Sequence, residues 1–133
     1  MGQQQILLIV LTIILVGIAV SVGITMFRDQ TLQSNKDAII ADLTTLAQRA
    51  YQYRIKPESM GGGGGDYDDL ELTDLGSAEM TNNANAQYVL TSAAADEVVI
   101  TATGKIGATP WTITCTTDGA GKNTIDITTQ ASF

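Results

Sequence analysis

The chain has 133 residues, 44% hydrophobic and 16% charged, with a net charge of −7 and no histidine. That length holds one small domain, or a membrane segment plus one such domain, and a single cysteine, Cys115, excludes an internal disulfide framework. Residues 1–56 carry five cations and three acids, and residues 57–133 carry two cations and eleven acids, so no nucleic-acid partner is expected, because phosphate contacts need Lys and Arg.

Residues 1–27 form the first segment. From Ile6 to Phe27, 22 residues contain neither a charge nor a proline, and about 20 such residues in a helix cross a bilayer core. A secretory signal would instead combine a basic front, an apolar stretch of about 7–15 residues and a small-x-small cleavage site. Here the front is Gly2-Gln3-Gln4-Gln5, and Thr25-Met26-Phe27-Arg28 offers no pair of small residues. A persistent helix is the better reading. Gly17, Ala19, Ser21 and Gly23 leave small faces where helices approach closely, or are simply tolerated in a span.

Residues 28–56 continue the helix with a different face. Leu32, Ile39, Ile40, Leu43, Leu46, Ala47, Ala50 and Tyr51 fall on one stripe, with Lys36, Asp37, Asp42, Gln48, Arg49 and Gln52 largely elsewhere. Arg49, Arg54 and Lys56 sit where cations favour a helix C-terminus, and Pro57 forces an exit. A helix from about Gly2 to Arg54 is roughly 80 Å long, apolar all round in its first half and amphipathic in its second.

Residues 57–85 read as a Gly-rich, acidic connecting loop. The run Gly61–Gly65 is a spacer, an unusually folded surface loop, or a point of close backbone contact with a neighbouring chain. Asp66, Asp68 and Asp69 are weak calcium candidates, because they lack the spaced ligand set of a calcium loop; a solvated acidic loop is the simpler reading.

Residues 86–133 change period to two. Tyr88 and Leu90, then Val98, Ile100 and Ala102, then Trp111, Ile113 and Cys115, then Ile125 and Ile127 alternate with mostly polar neighbours, many of them threonine. Breaks at "SAAAD", "GKIGATP" and "DGAGKN" predict four strands in an antiparallel meander, with Cys115 as a small core hydrophobe. A head of 77 acid-rich residues without a disulfide makes a marginal core. The helical stripe is expected to complete it, with Leu32, Ile39, Leu43, Leu46 and Ala50 as the packing residues. The predicted class is α+β: a long N-terminal helix packed on a four-stranded antiparallel sheet.

The opening "MGQQQ" followed at once by "ILLIVLTIILVGIAVSVGI", with a helix that continues into an amphipathic half, resembles the type IV pilins. The resemblance covers residues 1–56 by sequence and the head by architecture. Met1 stands at the position that is N-methylated in the family, and Gln5 stands where the family carries Glu. The resemblance implies a bacterial pilus major subunit, a structural protein of an extracellular helical filament serving adhesion, motility or surface interaction. The chain would wait in the inner membrane and then polymerise with copies of itself through Gln5, Ile6, Leu7, Leu11, Ile14, Gly17, Ser21 and Gly23. Prepilin peptidase and the pilus assembly machinery are the further partners implied. Arg28 and Lys36 alone would direct the head to the cytoplasm; a basic leader reverses that, so residue 1 is expected to be the processed terminus. In the assembled filament the helix is expected to loosen between Gly17 and Gly23, since each glycine costs about 1 kcal/mol against alanine.

Two other readings share the helix: a pseudopilin of a secretion system, forming a short periplasmic piston, and a single-pass anchored domain that never polymerises. No enzyme and no cofactor are expected, because no acid or base pair has an identifiable role.

Overall fold

A computed structural model describes residues 2–133; Met1, the candidate methylation position, lies outside the described residues. One α-helix, α1, spans Gly2–Ile55 and runs unbroken through Gly17 and Gly23 in the single chain. Its apolar half holds hydroxyls at Thr12, Ser21 and Thr25, groups that are costly to strand in lipid. Thr12 donates to the Leu8 carbonyl at 2.8 Å and Thr25 to the Ser21 carbonyl at 3.1 Å, so both are satisfied within the helix.

The second half of α1 lies on a four-stranded antiparallel meander of β1 (Ala86–Ala94), β2 (Glu97–Gly104), β3 (Thr112–Asp118) and β4 (Asn123–Thr129), in sequential order. Register fixes the two faces. Ile100 pairs with Cys115, Ala102 with Ile113 and Val98 with Thr117, and all six are buried under the helix. Thr101 opposite Thr114 and Thr103 opposite Thr112 form the outer face, as alternation with period two requires. The helix lies chiefly on β2 and β3, with β4 touched less. Ile125 and Ile127 pair with Cys115 and Ile113 and so share the inner face, yet they stay 36% and 37% exposed at its rim.

Leu32, Ile39, Leu43, Leu46, Ala47 and Ala50 are buried along the stripe of α1. Asn35 is buried in the same stripe; its Nδ2 donates to the Asn85 carbonyl at 3.1 Å. A Cβ on Gly104 would lie 3.3 Å from Asn35 Oδ1, so glycine makes room for the amide. Trp111 donates its indole N–H to the Leu32 carbonyl at 3.0 Å, tying the start of β3 to the helix.

The connecting segment is folded rather than slack, which decides against the spacer reading of the glycines. All five glycine N–H groups donate to carbonyls at the end of α1 or just after it. Gly63 reaches Tyr53 at 2.8 Å, Gly65 reaches Arg54 at 2.7 Å and Gly64 reaches Lys56 at 3.0 Å, while Gly61 and Gly62 reach Glu58 and Pro57. Carbonyls at a helix C-terminus need such partners. Glycine is required throughout. Gly61, Gly64 and Gly65 have φ of 80°, 65° and 117°, and a Cβ at Gly62 or Gly63 would collide with the Lys56 or Asp66 carbonyl. The segment then returns down the helix through two short helices, α2 (Leu72–Leu75) and α3 (Ala78–Thr81). On the way it buries Tyr67, Leu70 and Leu75 in the same core as the sheet.

Candidate functional site

The candidate site is the first half of α1. From Ile6 to Phe27 its large apolar side chains are 47–72% exposed, and among the described residues nothing buries them. Gln5, Ile6, Leu7, Leu11, Ile14, Gly17, Ser21 and Gly23 all lie on this bare helix. Nothing lies within 4 Å of a Cβ built at Gly17 or Gly23, so these two positions are open surface. The helix is long and apolar enough to cross a membrane. Burying each Leu or Ile is worth about 1.5–3 kcal/mol, and a contiguous apolar surface of this extent is rare on a soluble monomer.

Where α1 enters the head, polar contacts hold it in place. Tyr88 donates its hydroxyl to Asp42 Oδ2 at 2.7 Å, and Asn83 Nδ2 donates to the same oxygen at 3.0 Å. Asn83 Oδ1 accepts from the N–H groups of Asn85 and Ala86, and Lys105 Nζ donates to the Asn83 carbonyl at 2.7 Å and to Asn82 Oδ1. At the far end Arg49 donates to the Leu75 carbonyl at 3.1 Å, and Tyr67 donates to the Asp118 carbonyl at 2.9 Å beneath the Arg54 guanidinium. Arg54 also lies 3.6 Å from Asp96. That carboxylate is exposed, so the pair adds little.

Burial pushes the Tyr88 phenol well above its ordinary value, helped by its hydrogen bond to Asp42 and by that carboxylate's charge. Burial also raises Tyr67, against an opposing pull from Arg54, and raises the Cys115 thiol, partly offset by Thr117. Groups whose folded pKa is raised contribute stability that is complete below their unfolded pKa and lost as pH rises through the folded one. The unfolding midpoint is therefore expected to hold from pH 7 to 8 and to fall above about pH 9–10, where unfolded thiol and phenols ionise. Thermal melts across that range check this, and Tyr88→Phe should make the decline shallower. A midpoint that stays level to pH 11 would contradict it.

Among the described residues no three His, Cys, Asp or Glu side chains converge as a metal cluster, so Asp66, Asp68 and Asp69 are not brought together on one ion. Asp66 and Asp69 instead stand near Tyr53, where with Asp74 and Glu71 they help burial to raise the phenol. Cys115 is a buried free thiol. Sequence reasoning missed Asn35, whose signal was an amide three residues after Leu32 and four before Ile39, on the apolar stripe. It also missed Tyr67, Leu70 and Leu75, which lie among acids and glycines without any period.

A bare apolar half-helix that continues, without a break, into a half docked on an antiparallel meander is compatible with a pilin-like fold. Searches against protein-family models, curated proteins and solved structures find no match to this chain.

Proposed function

We propose that the chain is the structural subunit of an extracellular helical filament of the type IV pilus kind, held in the inner membrane before assembly and polymerised through the first half of α1. The observation that carries this reading is the division of one continuous helix. Its second half is buried in its own head, while the 22-residue, mostly apolar run Ile6–Phe27 of its first half is left exposed by the described residues. Lipid can cover them in the membrane, and copies of the same helix can cover them after extraction. A contact between two different surfaces of identical chains repeats without closing and so builds a filament. Adhesion or motility would then be properties of the polymer and its machinery.

Electron microscopy of material sheared from the surface of cells making the chain tests the proposal. Long filaments containing it are the expected result. Short periplasmic assemblies would point to the pseudopilin reading, and detergent-soluble monomers without fibres to the anchored domain.

Gln5 provides a sharper test. Placed among apolar helices, its amide needs a partner, and leaving one unpaired costs about 1–3 kcal/mol. Gln3 and Gln4 of a neighbouring copy, or that copy's N-terminus, are the groups available at the tip. Gln5→Leu keeps the volume and removes the amide. It is expected to insert into the membrane normally and to assemble poorly; a normal filament yield would show that apolar packing alone sets the join.

A further inference from the structure

On an acidic chain, two of the seven cations share one groove. Arg49 and Lys56, with Gln52 between them, line a cleft of about 490 Å³ where α1 faces the connecting segment at Gly61 and Asp74. Arg49 engages one N–H with the Leu75 carbonyl, and Asp74 Oδ2 is taken by the Glu71 N–H. Neither cation is paired with a carboxylate, since among the described residues the one ion pair joins Arg54 to Asp96. Lower on α1, Asp29, Gln33 and Asp37 are exposed, and the two acids are equally unpaired. The cations beside them turn to the head instead, Arg28 over the Phe133 ring at 5.5 Å and Lys36 over Trp111 at 5.7 Å. At 3.6 residues per turn, each row stands about 110° from the buried stripe, one on either flank. About 29 Å of helix separates the rows, so they cannot meet within one molecule.

We propose that, in one side-by-side contact of the filament, the acidic row of one copy docks on the cationic groove of a second copy. The inference rests on the filament reading above and specifies the register between two neighbours. The rows match position for position. Asp29 lies 20 positions before Arg49, Gln33 lies 19 before Gln52, and Asp37 lies 19 before Lys56. A parallel copy displaced by about 29 Å along the helix therefore sets all three pairs level at once. Acid meets cation at both ends, and amide meets amide in the middle. The flanks suit the contact as well. Parallel copies with their heads turned the same way present opposite flanks to one another. A contact between two different surfaces leaves one of each free on the pair, so it repeats. Each exposed ion pair contributes at most about 1 kcal/mol, far less than the apolar burial. Its effect is on register: apolar faces slide past one another at little cost, whereas a slipped copy loses both ion pairs.

The test uses the full chain in sheared filaments. Filaments of the unmodified chain are scored first, and their absence would overturn the polymer reading together with this proposal. A chain with both Gln33→Cys and Gln52→Cys is then oxidised in the filament; both positions are exposed, and Cys115 is buried and does not compete. The expected result is a covalent ladder of multimers, where either single substitution gives dimers at most. An equal ladder is not expected when Thr45→Cys, about 10 Å along the helix, replaces Gln52→Cys. Filaments without a ladder, or equal ladders from the two pairings, would overturn the contact while leaving the filament standing. Charge reversal supplies a second arm. Asp37→Lys is expected to cut filament yield at least tenfold relative to the membrane-inserted pool, because like charges then meet at every joint. Lys56→Glu in the same chain is expected to restore the yield to within threefold. Both residues are exposed, so the head's unfolding midpoint should stay in place throughout. Unchanged yield from Asp37→Lys, or no recovery in the double variant, would overturn the proposal.

Discussion

Leu43→Ala is expected to lower the unfolding free energy of the head by about 2–5 kcal/mol, while Ile14→Ala leaves it unmoved and reduces filament yield instead. Both remove methylene and methyl groups from the same helix. Leu43 is fully buried in the core formed with the sheet, and its loss leaves a cavity that the packed strands can only partly close. Ile14 is 53% exposed and touches nothing in its own head. Trp111 gives an intrinsic readout, being the only tryptophan and hydrogen-bonded to α1 at the Leu32 carbonyl. Its fluorescence, followed through denaturant titrations of the full chain in detergent, separates the two outcomes. A matching shift for Ile14→Ala would mean that the head relies on the membrane half for its stability.

The second large effect is expected at Gly63. Its Cβ would meet the Asp66 carbonyl, a backbone atom that cannot swing aside as a side chain tip can. Overpacking of this kind costs about 1–3 kcal/mol and sometimes more. The displaced loop would also release the hydrogen bonds to Tyr53, Arg54 and Lys56 that end the helix. Gly63→Ala should therefore move the denaturation midpoint of the head clearly downward, and Gly62→Ala should do the same through the Lys56 carbonyl. Gly17→Ala is the contrasting substitution. It adds a methyl to open surface and should favour the helix locally by about 1 kcal/mol without moving the head's midpoint. If Gly63→Ala melts like the unmodified chain, the glycine run is only a tether.

The long helix and the meander were legible because each has a strong period over many residues. Apolar spacing of three and four marked the docked half of α1, and alternation with threonine marked the strands, where cross-strand pairing of Thr101 with Thr114 keeps one face polar. Where the pattern stopped, so did the reading. Tyr67, Leu70 and Leu75 enter the core from irregular backbone, so no period announces them. The glycines were readable as special but not as a cap, because only the fold shows which carbonyls their N–H groups face. Ile125 and Ile127 were legible as alternating strand residues, yet alternation alone does not say how far across the inner face the helix extends. The bare half of α1 was evident from composition, whereas the bond from Asn35 to the Asn85 carbonyl joins residues 50 positions apart and has no local signal.

The sequential strand order has a kinetic consequence. Each strand pairs with the one made just before it, across short turns, so the loop-closure entropy of every sheet-forming step is small. The long closure is between sheet and helix, as in the contact of Trp111 with Leu32 across 79 positions. With α1 already formed, the strands add to a template in chain order, and the least covered strand, β4, arrives last. Sheet proteins are usually slow because their contacts are distant in sequence. Here the head should fold within milliseconds, and an aliphatic helix held in a membrane would leave it free to do so one strand at a time.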